Sequence, residues 1–151
     1  MQVVCRIEGV DREGEICSYE RKDIRSQYRA TDLGGLILTE VSFLLKPADP
    51  ERIRQRYREI IDERGSTQPL GFSAGCIFRN PSRSKPAGKL IESCGLKGHR
   101  IGGAHISTKH ANFIINDGSA TSSDILALIE LVQQRVYQEF GIELRLEIEV
   151  W

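Results

Sequence analysis

The chain has 151 residues, room for one domain of ordinary size, whereas an enzyme that holds a dinucleotide cofactor together with a nucleotide sugar usually needs two or more. Its 21 Lys and Arg balance 21 Asp and Glu, so bulk charge supplies no drive toward nucleic acid or an anionic membrane, and any anion binding must be local. The first residues lack the apolar core of a signal peptide and no apolar run approaches the ~18 to 20 residues of a membrane span, so the chain reads as cytosolic.

In chain order, residues 3–10 and 15–19 are short extended segments around the turn-rich Asp11-Arg12-Glu13-Gly14, which predicts a hairpin. Residues 36–45 give the strongest strand signal, with Ile37, Thr39, Val41 and Phe43 alternating against Leu38, Glu40, Ser42 and Leu44. Apolar side chains on both faces predict a strand inside a sheet. Asp49-Pro50 then supplies an N-cap and first helical residue, Ile53, Tyr57, Ile60 and Ile61 follow at helical spacing, and Gly65 is expected to stop the helix. Beyond it the texture turns to glycine-rich turns and short elements, which places a domain boundary there. Residues 87–93 predict a short helix closed by Gly95, and 111–115 a short buried strand before the Asn116-Asp117-Gly118 turn. A longer helix follows, capped by Thr121, Ser122 or Ser123. Its face carries Ile125, Leu128, Ile129, Val132, Val136 and Phe140, and Gly141 ends it. Alternation in Leu144, Leu146, Ile148 and Val150 against Arg145, Glu147 and Glu149 predicts a final strand.

Cysteines 5, 17, 76 and 94 form no C-x-x-C pair, so four reduced thiols are expected, and His99, His105 and His110 are too scattered to suggest a metal. Read from composition alone, Cys76 is a small buried hydrophobe and Arg29 one more solvated arginine beside Arg21 and Arg25. Three segments change that reading. Ser73-Ala74-Gly75-Cys76-Ile77-Phe78-Arg79-Asn80-Pro81, Ala87-Gly88-Lys89-Leu90-Ile91-Glu92 and Lys109-His110-Ala111-Asn112-Phe113-Ile114-Ile115-Asn116 together resemble the substrate-closing domain of the MurB reductases, the UDP-N-acetylenolpyruvoylglucosamine reductases. Tyr28-Arg29 followed by Thr31 resembles that family's tyrosine-arginine-x-serine motif, in the same order and at nearly the same spacing.

The resemblance covers essentially the whole chain, against family members about twice as long. It implies an α+β fold: the C-terminal part of the FAD-binding domain in residues 1–47, a connecting helix in 48–65 and the substrate domain in 66–151. It implies an oxidoreductase of cytoplasmic peptidoglycan synthesis that uses NADPH and FAD to reduce the enolpyruvyl ether of UDP-N-acetylenolpyruvoylglucosamine to UDP-N-acetylmuramate. Cys76 takes the position of the usual proton-donating serine, and a thiol, with an ordinary pKa of ~8.5, is competent to protonate a carbanion. Arg29 matches the arginine that stabilises the enolate, a role suited to a planar, permanently charged, bidentate guanidinium. Glu147 matches the late glutamate across the substrate. Tyr28, Asn80, Lys89 and Lys109 match or neighbour substrate-contacting positions, Asn80 toward the nucleotide and the lysines as anion partners.

Nothing in the sequence replaces the family's flavin pyrophosphate loops, because Gly34-Gly35 and Gly102-Gly103 lack a G-x-G-x-x-G or P-loop context. The expectation is a truncated or split reductase, active only with the missing half supplied, whose orphaned sheet edge in residues 1–47 invites association with that half or with a second copy. The alternative is a non-catalytic UDP-sugar-binding or regulatory module. An RNA-binding role for the basic 79–89 loop is disfavoured by zero net charge and the lack of an aromatic stacking platform.

Overall fold

The side chain of Asp11 closes the first turn of the computed structural model, which describes residues 3–150. Its Oδ1 accepts from the backbone N–H of Glu13 at 3.0 Å and of Glu15 at 2.8 Å, and Gly14 supplies the left-handed residue with φ 88°. The turn joins β1 (Val4–Val10) to β2 (Ile16–Glu20) as the expected antiparallel hairpin. A single 3-10 turn (Arg21–Asp23) leads to a second, minimal hairpin of β3 (Ser26–Gln27) and β4 (Ala30–Thr31). β5 (Ile37–Phe43) then pairs antiparallel with β1, giving the order β2-β1-β5.

The expected interior strand is therefore an edge strand among the described residues. Ile37 is 71% exposed and Phe43 56%. Two apolar faces require two covers, and the residues of this unit, 1–53, bury little beyond Ile7 and Ile24. α1 (Pro50–Thr67) carries the chain from this unit into the second, 54–151. Asp49 caps it as expected, its Oδ1 accepting from Glu51 N–H at 3.1 Å. Gly65 does not stop it: the hydroxyls of Ser66 and Thr67 both donate to the Glu63 carbonyl, and the helix ends where Pro69 bars Gln68 from helical backbone. Every residue of α1 is exposed, including the apolar stripe of Ile53, Tyr57, Ile60 and Ile61.

In the second unit α2 (Ala87–Ser93) is followed by Gly95 at φ 70°. β6 (Arg100–Ile101), β7 (Ala104–Ile106) and β8 (Ile114–Asn116) form an antiparallel sheet in that order. The strand expected from 111 begins only at 114, because Phe113 N–H bonds back to the His110 carbonyl and makes 110–113 a turn. α3 (Ser122–Phe140) buries Leu128, Ile129, Val132 and Val136 against Ile77, Phe78, Ile91 and Ile106, so the core lies between this helix, α2 and the sheet. Of the three candidate caps, Thr121 is used. Its hydroxyl accepts from Asp124 N–H at 3.2 Å and the Asp124 carboxylate accepts from Thr121 N–H at 2.9 Å, a reciprocal box at the positive end of the helix. Gly141 closes the other end in left-handed geometry. The final strand is not regular. Residues 144–147 contact 77–79 through one bridge, Phe78 to Leu146, though Leu144 is buried as the alternation requires. Strands and helices occupy separate stretches, an α+β chain.

Asp117 anchors the approach to α3. Its carboxylate is held down to about 2 from an ordinary 3.8, first by the Ser119 hydroxyl, which donates to it at 2.7 Å, and next by the Arg100 guanidinium. Because the folded-state value is depressed, this contribution is fully present above pH ~4 and is lost as pH falls toward 2. The melting temperature of the parent chain is expected to fall more steeply between pH 4 and pH 2 than that of Asp117→Asn. Coincident slopes in circular-dichroism melts would remove Asp117 from the acid response.

Candidate active site

Gly75, with φ 83°, turns the chain into Cys76, and from there to Arg79 the backbone runs between two flanks. On one side Cys76 bridges Phe113, and Ile77 N–H donates to the Asn112 carbonyl at 2.9 Å. On the other, Arg79 N–H donates to the Arg145 carbonyl at 2.9 Å and Glu147 N–H donates to the Ile77 carbonyl at 2.8 Å. Cys76 and Glu147, distant in sequence, are thereby brought onto adjacent segments, with Cys76 one residue from the hydrogen bond that Glu147 N–H makes to Ile77. Both side chains are half-buried. Beside them Phe72, Ser73, Ala74, Ile114 and Ile148 line a hollow of about 200 Å³. That is below the roughly 300 Å³ at which small-molecule pockets begin, and neither Cys76 nor Glu147 lines it.

Tyr28 and Arg29 lie in the first unit, as the two central residues of the β3–β4 hairpin. Arg29 adopts φ 57°, the left-handed region that costs a side-chain-bearing residue about 1 to 3 kcal/mol. The guanidinium lies 5.9 Å from the Tyr28 ring centroid, and the hairpin is tied at its base by Arg25 N–H to Asp32 Oδ1 at 3.0 Å. Glycine would occupy this position without that strain.

Two of the remaining candidates have structural partners. Asn80 Oδ1 accepts from Ala87 N–H at 2.9 Å and so caps the start of α2 across the proline-rich 81–86 loop. Lys109 Nζ donates to the Gly65 carbonyl in the last turn of α1, a cation at a helix C-terminus. Lys89 is exposed on the first turn of α2. Sequence reasoning gave no role to Asn112, although it is 97% buried and its carboxamide bonds the backbone of Phe78; the only signal was its place in the Lys109-to-Asn116 segment. None of the four cysteines is in a disulfide.

Comparison with known proteins bears on this arrangement directly. Residues 68–151 match the family model described as UDP-N-acetylenolpyruvoylglucosamine reductase, C-terminal domain. The chain belongs to the UDP-N-acetylenolpyruvoylglucosamine reductase family. It is 45% identical over 150 residues to the reductase of Chloroherpeton thalassium, covering 93% of this chain and 48% of that protein. It is 42% identical to that of Thermotoga maritima, covering 93% of this chain and 50% of that protein. The crystal structure of the MurB reductase from Thermus caldophilus superposes with a TM-score of 0.84 at 39% identity, over 99% of this chain and 53% of that one. The chain thus spans about half the length of the curated relatives it matches, and it corresponds to the C-terminal portion.

Whether a flavin dinucleotide fits these residues can be judged from the glycines of the first unit. A pyrophosphate needs open backbone N–H groups in a glycine cradle or at a helix N-terminus. A Cβ on Gly35 would stand 3.0 Å from Arg12 Nε, and one on Gly9 would stand 2.6 Å from the Ile37 carbonyl oxygen, so both glycines serve internal packing. The N-terminus of α1 is already capped by Asp49. Gly14 closes the β1–β2 turn, and Gly34 has open space at its Cβ position but stands beside the crowded Gly35, so the described glycines of this unit do not supply the run of open N–H groups that a pyrophosphate needs. Nor do the described residues include a group of three or more His, Cys, Asp or Glu placed to hold a metal, or a helix long and apolar enough to cross a membrane.

Proposed function

We propose that this chain is the substrate-holding C-terminal portion of a cytoplasmic UDP-N-acetylenolpyruvoylglucosamine reductase (UDP-N-acetylmuramate dehydrogenase) of peptidoglycan synthesis. The observation that carries the reading is the pairing of the Cys76 segment with the Glu147 segment inside a domain matched by the family model. FAD, reduced by NADPH, supplies the hydride in such a reductase, and its pyrophosphate site belongs to the portion of the family's length that this chain does not span.

The residues of this chain act on the substrate. Arg29, held in a strained hairpin position, engages the enolpyruvyl carboxylate and the negative charge that grows beside it. Glu147 assists polarisation of the enolpyruvyl group and proton delivery to it. The Cys76 thiol delivers its proton to the carbon that carries the developing charge, and the thiolate is reprotonated from solvent. Tyr28 stacks under the Arg29 guanidinium. Asn80 keeps its amide N–H₂ for the nucleotide while its oxygen caps α2, and Lys89 faces the diphosphate. Lys109 holds α1 against this domain and reaches the substrate only by leaving Gly65. The open edge and exposed apolar residues of β5 are where the flavin-binding portion pairs; a second copy of this chain is the competing occupant.

Calorimetric titration of the purified chain with UDP-N-acetylenolpyruvoylglucosamine, with and without FAD and the flavin-binding portion of a relative, tests the proposal. Binding is expected to tighten at least tenfold when both are present. Binding that is unchanged by either would favour a UDP-sugar-binding or regulatory module, and no heat under any condition would defeat both readings.

A further inference from the structure

Phe78, two residues beyond Cys76, has both of its backbone polar groups paired with one side chain. Asn112 Oδ1 accepts from Phe78 N–H at 2.9 Å and Asn112 Nδ2 donates to the Phe78 carbonyl at 2.8 Å. Phe78 is 2% exposed and Asn112 3%, so neither group has water as an alternative. A carboxamide carries a donor and an acceptor in a fixed planar fork, the same pair that a peptide unit offers to a neighbouring strand. Here the fork stands in for a strand that is absent. The 110–113 turn lets the loop backbone reach Ile77 through the Asn112 carbonyl, but its next N–H, that of Asn112, is spent on His110 Nδ1 at 3.2 Å, and the side chain takes over the following peptide. The loop is itself braced by Ser107, 97% buried, whose hydroxyl accepts from the N–H groups of Lys109 and His110.

We infer that Asn112 is a positioning residue for Cys76. It holds Ile77 and Phe78 at one flank while Arg145 and Glu147 hold Ile77 and Arg79 at the other, so the spacing between Cys76 and Glu147 is set by a strand clamped on both sides. Loss of the fork releases one flank and lets the Cys76 segment move relative to Glu147. This rests on the reading of Cys76 as the proton donor, and for that reason the test uses neither substrate nor flavin. A failed clamp measurement and a failed calorimetric titration are then separate results.

The test is peptide-resolved alkylation of the full chain by iodoacetamide, comparing Asn112→Leu and Asn112→Asp with the parent, with Cys94 as the internal control in the same domain. In Asn112→Leu the Cys76 rate is expected to rise at least threefold with the Cys94 rate unchanged. A buried aspartic acid keeps an O–H to donate to Phe78 until it ionises. The ratio of Asn112→Asp to parent at Cys76 is therefore expected near one at pH 6 and to climb as pH rises, a dependence that a space-filling role would not produce. Should Asn112→Leu not fold, the pH dependence of Asn112→Asp decides alone. Equal Cys76 rates in parent and variants, or Cys76 and Cys94 rates that rise together, would overturn the inference.

Discussion

Gly103→Ala is expected to destabilise the second unit by about 3 kcal/mol, the upper end of ordinary overpacking. A Cβ there would stand 2.4 Å from Ala120 N and 2.5 Å from Ser119 C, closer than such atoms ever approach. Both are backbone atoms at the entry to α3, where nothing can give. Asn116 Oδ1 accepts from Gly118 and Ala120 N–H, Asp117 Oδ1 accepts from Ser119, and Thr121 and Asp124 close the capping box immediately after. Asp117 N–H also bonds the Gly103 carbonyl at 3.0 Å, so the added methyl pushes apart two segments that this bond draws together. The melting temperature should fall by roughly 10 to 20 °C for a domain of this size. Gly65 is the opposite case: it lies within α1 with open space around its Cβ position. Gly65→Ala should stabilise by about 0.5 to 1 kcal/mol through helix propensity alone. Thermal melts of the two variants read both signs, and a Gly103→Ala chain melting within a few degrees of the parent would show the 119–120 backbone to be softer than its hydrogen bonds indicate.

The glycine result also shows where a sequence speaks and where it is silent. α3 was legible from end to end because its cap, its 3.6-residue apolar stripe and its left-handed terminal glycine are all local signals. The β1–β2 hairpin was legible for the same reason, its turn being made by Asp11 and Gly14 alone. β5 was not. Its two apolar faces indicate covers on both sides, and the sequence of a strand does not say whether the residues that cover it lie in the same chain. The final segment alternates correctly, but a regular strand also needs a partner along its length, and residues 77–79 offer only a short one. The candidates Arg29, Cys76 and Glu147 were suggested by family motifs and not by chemistry visible in composition. The left-handed backbone at Arg29 left no trace in sequence. Asn112 escaped because its role depends on two hydrogen bonds to a residue 34 positions away. Gly65 misled, since one glycine costs a helix about 1 kcal/mol and the following Ser66 and Thr67 side chains hold the last turn.

Replacing Cys76 by alanine should lower the turnover of the chain combined with its flavin-binding portion by about 10² to 10⁴, the usual share of a positioned general acid. Substrate affinity in the calorimetric titration should change little, because the proton is needed in the transition state and not in the bound complex. Cys76→Ser is the sharper variant. Serine is the residue expected at this position in the family, and a hydroxyl differs from a thiol by a shorter bond and a higher pKa without altering the number of transferable protons. Its turnover should lie within about tenfold of the parent if proton delivery, and not thiolate nucleophilicity, is what the position supplies. The two chemistries separate further under iodoacetamide. The parent should lose activity as Cys76 is alkylated, whereas Cys76→Ser should resist the reagent, since Cys5, Cys17 and Cys94 have no place in the proposed site. Measured together, turnover, affinity and alkylation sensitivity leave one pattern for a proton donor: alanine slow, serine active and protected, the parent and both variants binding alike. An alanine variant that turns over at the parental rate would mean that the proton comes from Glu147 or from solvent, and that Cys76 is the buried small hydrophobe its composition first suggests.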